Sequence, residues 1–258
     1  NNRLNAATLD ESIIDFKATT DNTFLYAAIE DRGVAVNHYY PISDTSETLF
    51  TIPFQEVTIE WGSNSLDTHY FYPKANSQLE GFLYAGKDNS VTRLPLSGYG
   101  FAAAGSEDII IYAKQEKGDY IGYVYNTNDQ SSTELGFSFL PKKCIAVLGN
   151  VVCALSISDY NQEFPDKWYM GSYIAKDSLW HIEAGTNRGT SLADPEDETG
   201  RTLDIINMQH SISTNSLYFI NKTDQTAWML REAIPERENI VITDEPDTDQ
   251  TEINVDEN

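Results

Sequence analysis

The sequence predicts an all-β protein, a β-propeller of four-stranded antiparallel blades with about five blades present. Alternating apolar and β-branched stretches, separated by short clusters of Gly, Asn, Asp and Ser, fill nearly all of residues 13–230. Aromatic residues make up 12% of the chain, with 15 Tyr against 3 Met, and such side chains pack well between pleated sheets. One strand pattern also recurs about every 40 to 46 residues for most of the chain, which is the period of a four-stranded blade.

The repeated pattern marks the second strand of each unit. It reads Thr23-Phe-Leu-Tyr-Ala-Ala in the first unit and Ile109-Ile-Ile-Tyr-Ala in the third. The matching positions are Tyr26, Tyr72, Tyr112, Cys153 and Tyr218. A third strand follows each of them and carries an aromatic residue, namely Tyr39, Tyr84, Tyr123, Trp180 or Trp228. The predicted blades span residues 12–53, 57–96, 99–139, 142–194 and 204–232.

The last predicted blade lacks an outer strand. Outer strands are predicted at residues 48–52, 90–94, 133–137 and 190–192, and the sequence offers no equivalent after Trp228. Either residues before Asp10 pair there and close a five-bladed ring, or further blades complete a larger ring of seven or eight. Because Leu4-Asn-Ala-Ala7 has low β-propensity, the sequence favours an open arc of a larger propeller.

The end of the chain is predicted to be an acidic, disordered tail. Residues 236–258 carry nine acidic residues and one Arg, and they hold too few apolar residues to offset their ordering entropy. The alternative is that Ile240-Val-Ile-Thr243 adds a further strand.

Charge and hydropathy exclude several partners. The formal net charge is −23, so the phosphate neutralisation that dominates nucleic-acid affinity is missing over most of the surface. DNA, RNA and anionic membranes are therefore not expected partners. Direct membrane insertion of this segment is not expected either, because no apolar run reaches the roughly 18 residues that crossing a bilayer requires.

The two cysteines are predicted to form a disulfide. Cys144 and Cys153 lie on consecutive strands around the turn Leu148-Gly149-Asn150, which places them nearly opposite each other. Disulfides persist only in oxidising compartments, so a bridge would indicate an extracytoplasmic protein. The alternative is two small, buried apolar residues.

The second half of the chain resembles a known family. The motifs include Leu140-Pro-Lys-Lys-Cys144, Phe164-Pro-Asp-Lys-Trp168-Tyr169-Met-Gly171 and Leu217-Tyr-Phe-Ile-Asn-Lys222. They resemble the C-terminal part of TolB-like, WD40-like propeller proteins from candidate-phyla bacteria. The resemblance implies an extracytoplasmic address at the cell envelope, an N-terminal membrane anchor and further blades upstream, and it implies no reaction.

A long connection at residues 158–176 breaks the repeat and is the candidate binding site. It holds Trp168 and Tyr169 beside Asp166, with Asp159 and Glu163 nearby, a combination that suits a sugar or a peptide. The alternative is that the two aromatic residues pack this insertion onto its own blade. The sequence therefore favours a non-catalytic scaffold for a protein or glycan partner.

An enzyme is the first rival hypothesis. Propellers can host glycoside hydrolases that use paired carboxylates in the central channel, and the innermost strands supply Asp15, Glu60 and Asp204. We expect these three residues to have structural or solvating roles.

A calcium-dependent adhesion module is the second rival. The run Asp194-Pro-Glu-Asp-Glu-Thr-Gly200 is rich in oxygen ligands, but its Gly does not fit an EF-hand loop, so a solvated acidic turn is expected. The four His residues lack zinc-site spacing, and we expect neither a metal nor a cofactor.

Overall fold

The computed structural model describes residues 11–62, 66–74, 76–105, 108–147, 149–156, 165–183 and 188–231. Three predictions fall outside these residues: the pairing of the segment before Asp10, the acidic tail at residues 236–258, and the contribution of Asp159 and Glu163.

The described residues form eighteen strands in four antiparallel sheets. The first sheet contains β1 (Ile13–Ala18), β2 (Phe24–Glu30), β3 (Gly33–Tyr40) and β4 (Thr45–Ile52). The second contains β5 (Val57–Glu60), β6 (His69–Pro73), β7 (Glu80–Lys87), β8 (Ser90–Gly105), β9 (Ile109–Glu116), β10 (Asp119–Asn126) and β11 (Ser132–Glu134). The third contains β12 (Cys144–Val147), β13 (Asn150–Ser156), β14 (Asp177–Glu183) and β15 (Arg188–Ala193). The fourth contains β16 (Ile205–Ser211), β17 (Ser216–Asn221) and β18 (Ala227–Leu230).

Strand β8 belongs to two repeat units. Its first half pairs with β7 and its second half pairs with β9, with a register shift between Tyr99 and Ala102. Gly100 lies at this shift with φ +60°, a conformation that glycine adopts without a steric cost. The sequence predicted separate strands here, whereas the backbone stays extended through the junction. The seven-stranded sheet is thus two blades joined by one strand, and we number the units blades 1 to 5 in chain order.

The predicted repeat coincides with the observed strands. Each predicted second strand lies within β2, β6, β9, β13 or β17, and each predicted third-strand aromatic residue lies within β3, β7, β10, β14 or β18. The all-β prediction is confirmed. The repeat was readable because each second strand is buried on both faces in part of its length, which keeps its composition apolar.

Neighbouring blades pack through apolar clusters. Representative contacts are Val36 and Phe50 with Phe71 between blades 1 and 2, Tyr72 with Phe101 between blades 2 and 3, Ile111 and Phe139 with Cys153 between blades 3 and 4, and Val152 with Leu217 between blades 4 and 5. Within the described residues no such cluster joins blade 5 to blade 1.

The free faces of the two end blades carry exposed apolar side chains. Phe16 of blade 1 is 60% exposed, and Tyr218 and Met229 of blade 5 are 42% and 43% exposed. In a closed ring these faces would pack against each other. The described part of the chain is therefore an open arc of five blades, and whether further blades complete it stays a prediction.

The antiparallel order gives the arc two ends. We call the end at which the innermost strands begin the helical face, because it carries a 3₁₀ turn (Pro141–Lys143) and two short helices, α1 (Asp166–Tyr169) and α2 (Pro195–Thr199). We call the opposite end, which holds the turn at residues 41–44, the turn face.

The cysteines are bridged. Cys144 and Cys153 lie directly opposite each other in the β12–β13 register and are joined by a disulfide. Both side chains are buried in the cluster between blades 3 and 4. The bridge therefore links two strands at a position that also holds neighbouring blades together.

We expect the Cys144→Ala/Cys153→Ala double variant to lose about 2 to 3 kcal/mol of unfolding free energy, because the bridge closes a loop of about ten residues. Urea unfolding measures this loss. Mass spectrometry of non-reduced peptides from protein exported by its native host should find the bridged pair, and two free thiols there would contradict the extracytoplasmic address.

Candidate functional site

Helix α1 is the centre of the helical face. The Asp166 carboxylate accepts hydrogen bonds from the backbone N–H of Ser77, at 3.2 Å, and from its hydroxyl, at 2.5 Å. Ser77 lies in the connection after β6 of blade 2, 89 residues away in the sequence. The insertion from blade 4 is thus tethered across the arc to blade 2.

The indole of Trp168 is fixed on several sides. Only 5% of the residue is exposed, and Nε1 donates to Asp204 Oδ1 and Oδ2 at 2.9 and 3.1 Å. The ring packs in one buried cluster with Ala113, Tyr120 and Leu140. Lys222 Nζ lies 3.9 Å from the ring centroid and donates to the Trp168 carbonyl oxygen at 2.5 Å. Blade 5 therefore holds α1 from the side opposite to blade 2.

A buried charge network lies beneath α1. Lys143 is 0% exposed, and its Nζ donates to Asp177 Oδ2 at 2.5 Å and to Asp204 Oδ1 at 2.6 Å. The carboxylates also accept backbone N–H groups, of Ile205 at 2.7 Å and of Ala175 at 3.3 Å. Burial raises the pKa of Asp177, and the Lys143 ammonium partly offsets this effect. We call Lys143, Asp177 and Asp204 the buried charge network.

The predicted binding residues are brought together, but their polar groups are largely used inside the protein. Asp166 is occupied by Ser77, and Trp168 by Asp204 and Lys222. The sequence suggested an exposed aromatic platform, whereas the indole here is part of the packing between α1 and blades 3 to 5, and Tyr169 packs against the same cluster. A ligand-binding role for these three residues stays a prediction.

Exposed apolar side chains surround α1. Met170 is 72% exposed, Ile174 is 61% exposed, and Leu79, two residues after Ser77, is 66% exposed. We call Met170, Ile174 and Leu79 the apolar rim. Because Asp166 and Ser77 are bonded, both segments of the rim lie on one rigid part of the helical face.

Two of the three predicted channel carboxylates influence each other. Burial raises the pKa of Glu60, on β5, to about 7; the Lys142 charge opposes this shift and the Asp15 charge adds to it. Burial also raises the pKa of Asp15, on β1. The hydroxyl of Tyr72 is nearby and buried, with no hydrogen-bond partner in the described part of the chain. We call Asp15 and Glu60 the axial pair.

Asp204, the third predicted carboxylate, does not join the axial pair. It immediately precedes β16 and is committed to Lys143 and Trp168. The sequence could not separate these roles, because all three residues are acids on or next to innermost strands. Chemically, a Glu60 that is partly protonated near neutral pH could donate a proton, while Asp15 and Lys142 supply charges of opposite sign.

We expect Glu60→Gln to stabilise the protein at pH 8 and to change little at pH 5. Because the pKa of Glu60 in the folded state, about 7, lies above its usual 4.5, the folded state binds the proton more tightly. The free energy of unfolding therefore falls as pH rises between these values. The full difference corresponds to roughly 3 kcal/mol, and partial solvent exposure reduces it to about 2 kcal/mol. Urea unfolding at both pH values measures it, with exposed Glu56→Gln as the control; equal pH dependence in wild type and Glu60→Gln would contradict the assignment.

The acidic run at residues 194–200 forms a capped helix. Asp194 Oδ1 accepts the backbone N–H groups of Glu196 and Asp197 at 3.0 and 3.3 Å, and Gly200 ends α2 with φ +71°. Asp194 also accepts from the Ser178 hydroxyl at 2.9 Å. Across the described ranges, no group of three or more His, Cys, Asp and Glu side chains is arranged to hold a metal ion.

Comparison with known proteins addresses the fold. No family model matches the sequence, and neither does any curated protein. Among solved structures, TolB from Acinetobacter baumannii is similar, with 14% identity and a TM-score of 0.50, over 85% of this chain and 54% of that chain. The β-propeller domain of the Trilobed protease from Pyrococcus furiosus, which has an open velcro topology, is similar with 11% identity and a TM-score of 0.53, over 90% of this chain and 74% of that chain. The fold is that of a β-propeller.

A third similar structure widens the functional range of these propellers. The nidogen/laminin complex matches with 7% identity and a TM-score of 0.54, over 85% of this chain and 75% of that chain. At such identities the likeness shows the fold alone, and one similar propeller belongs to a protease while another belongs to a protein complex. The chain spans about half the length of TolB. Of the helices in the described ranges, none combines the length and apolar character that crossing a membrane requires.

Proposed function

We propose that this propeller is a non-catalytic binding scaffold of an extracytoplasmic compartment, and that the apolar rim on its helical face binds a protein partner. The observation that carries the proposal is the clamping of α1 by residues from different blades. Ser77 of blade 2 holds one end, and Asp204 and Lys222 of blade 5 hold the other. The rim next to α1 is therefore preorganised, which lowers the entropic cost of binding.

The composition of the rim favours a protein partner. Met170, Ile174 and Leu79 present long apolar side chains to solvent, with Tyr173 partly exposed beside them. Met and aromatic residues are enriched at protein interfaces relative to the remaining surface. The disulfide supports the compartment, because such bridges are rare in reducing cytosol.

Cross-linking in the native cell envelope, followed by capture of the tagged chain, tests this proposal. We expect Met170→Asp/Ile174→Asp to reduce recovery of the partner about tenfold, because each Asp places a charge at the centre of the apolar contact. Ile42→Asp on the turn face is the matched control, since Ile42 is fully exposed and lies far along the strands from α1. Equal recovery with all three proteins would contradict the rim as the binding surface.

A glycoside hydrolase is the second candidate function, and the axial pair favours it. Glu60, with a pKa of about 7, has the property of a general acid, and Asp15 lies close enough to influence it. Hydrolysis screens with wild type and Glu60→Gln decide between the two. We expect no turnover with either protein, and turnover that disappears in Glu60→Gln would overturn the non-catalytic proposal.

A further inference from the structure

A cleft with a volume of about 330 Å³ lies on the turn face between blades 1 and 2. Its lining includes His38, Tyr40, Phe50, Asp67, His69 and Lys87. The first three residues come from β3 and β4 of blade 1, and the others from the β5–β6 connection, β6 and β7 of blade 2. The cleft lies at the end of the arc opposite to α1 and shares no residue with the apolar rim.

His69 presents an unpaired donor in this cleft. The residue is 1% exposed, and its Nδ1 accepts the backbone N–H of Gly62 at 2.9 Å, so the proton of the neutral ring is on Nε2. Burial lowers the pKa of His69 to about 4, so the ring is neutral at physiological pH. Nε2 is buried and has no hydrogen-bond partner in the ranges that the structure describes. An unpaired buried donor costs about 1 to 3 kcal/mol, which an acceptor on a ligand would recover.

The blade 1 wall of the cleft is aromatic and fixed. The imidazole of His38 is 4% exposed and packs on Tyr40, with ring centroids 4.1 Å apart. His38 Nε2 lies 2.5 Å from Thr23 Oγ1, which in turn donates to Asp21 Oδ1 at 2.7 Å. The ring of Phe50 stacks on His69 with centroids 6.2 Å apart. The wall therefore offers preformed aromatic surface beside the His69 donor.

The charges of the lining select the ligand further. Glu47, Asp67 and Asp88 supply carboxylates, and Lys87 supplies one cation. The excess of negative charge disfavours an anionic ligand, and the carboxylates require hydrogen-bond donors. The ligand must also offer an acceptor to His69 and an apolar face to the aromatic wall. Hydroxyl groups act as both donors and acceptors, and the C–H face of a pyranose ring is apolar.

We infer that this cleft binds a neutral sugar residue. The cleft volume is of the size that accommodates a mono- or disaccharide. This site is separate from the proposed protein-binding rim, so the molecule would contact a glycan at one end and a protein at the other. The carbohydrate site does not depend on the rim, and each can fail without the other.

Saturation-transfer NMR with the methyl pyranosides of glucose, galactose, mannose and N-acetylglucosamine tests the inference. We expect transfer to at least one of the four with wild-type protein. Binding should be roughly tenfold weaker in Asp67→Asn and in Tyr40→Ala, which remove a hydrogen bond and an aromatic contact. His69→Met removes the Nε2 donor, and circular dichroism establishes that each variant is folded.

Two controls make the result specific. Tyr39→Ala changes the neighbouring residue, whose side chain lies on the other face of β3 and bonds Asp44, and it should bind as wild type does. Glu60→Gln alters the axial pair and should also leave binding unchanged. The inference is overturned if none of the four sugars shows transfer, if the folded cleft variants bind as tightly as wild type, or if Glu60→Gln rather than the cleft variants abolishes binding. Loss of the partner in the Met170→Asp/Ile174→Asp capture experiment would leave this result unaffected.

Discussion

Replacement of Lys143 by Met is expected to lower the free energy of unfolding by about 3 to 5 kcal/mol. The side chain is fully buried, and its ammonium is the cation that bonds both Asp177 and Asp204. Met fills a similar volume, so the loss comes from leaving two carboxylates in a region that water does not reach. The remaining cation nearby, Lys222, is bonded to the Trp168 carbonyl and faces the other side of the indole.

Urea unfolding of matched variants separates this effect from a general loss of charge. Lys176→Met removes an exposed Lys that lies 3.7 Å from Glu196, and it should change the free energy of unfolding by about 0 to 1 kcal/mol. The triple variant Lys143→Met/Asp177→Asn/Asp204→Asn should be more stable than Lys143→Met alone, because the uncompensated charges are gone. A Lys143→Met loss no larger than that of Lys176→Met would show that the buried charge network contributes little.

Replacement of Trp168 by Ala is expected to cost about 3 to 5 kcal/mol and to release α1 from the helical face. The indole fills the buried cluster beneath α1 and satisfies Asp204, so its removal leaves both a cavity and a carboxylate with one donor fewer. Trp168→Phe keeps most of the packing and loses the N–H donor, and we expect an intermediate loss of about 1 to 3 kcal/mol.

The matched control for this series is Met170→Ala. Met170 follows α1 directly, but it is 72% exposed, so its truncation should change stability by no more than about 0.5 kcal/mol. Thermal and urea unfolding give the three values. Equal effects of Trp168→Ala and Met170→Ala would contradict the anchoring role of the indole.

The blades could be predicted from the sequence because strand identity is a local property. Tyr26, Tyr72 and Tyr112 recur in partly or fully buried second strands, and the turns between strands are marked by Gly, Asn and Asp. The junction at Gly100 could not be predicted in the same way. A glycine in an extended stretch is compatible with a chain break or with a bent continuous strand, and pairing with both β7 and β9 decides between them.

The buried charge network could not be predicted, because its partners meet only in three dimensions. Lys142 and Lys143 are adjacent in the sequence and identical in chemistry, yet the first is exposed and the second is fully buried. The register of the 3₁₀ turn sets this difference. Likewise, Ser77 has no sequence signal that connects it with Asp166, since their contact depends on how blades 2 and 4 lie around the arc.

Amide hydrogen exchange of residues 165–176 tests most directly whether the helical face is preorganised. The Met170 amide donates to the Asp166 carbonyl oxygen at 2.9 Å, and the Ala175 amide donates to the buried Asp204 carboxylate at 3.3 Å. We predict that both amides exchange much more slowly in wild-type protein than those of the exposed turn at residues 42–44, and that Trp168→Ala removes this protection. Exchange of the α1 segment as fast as that turn in the wild-type protein would show that the segment is not clamped, and the preorganised docking surface would have to be abandoned.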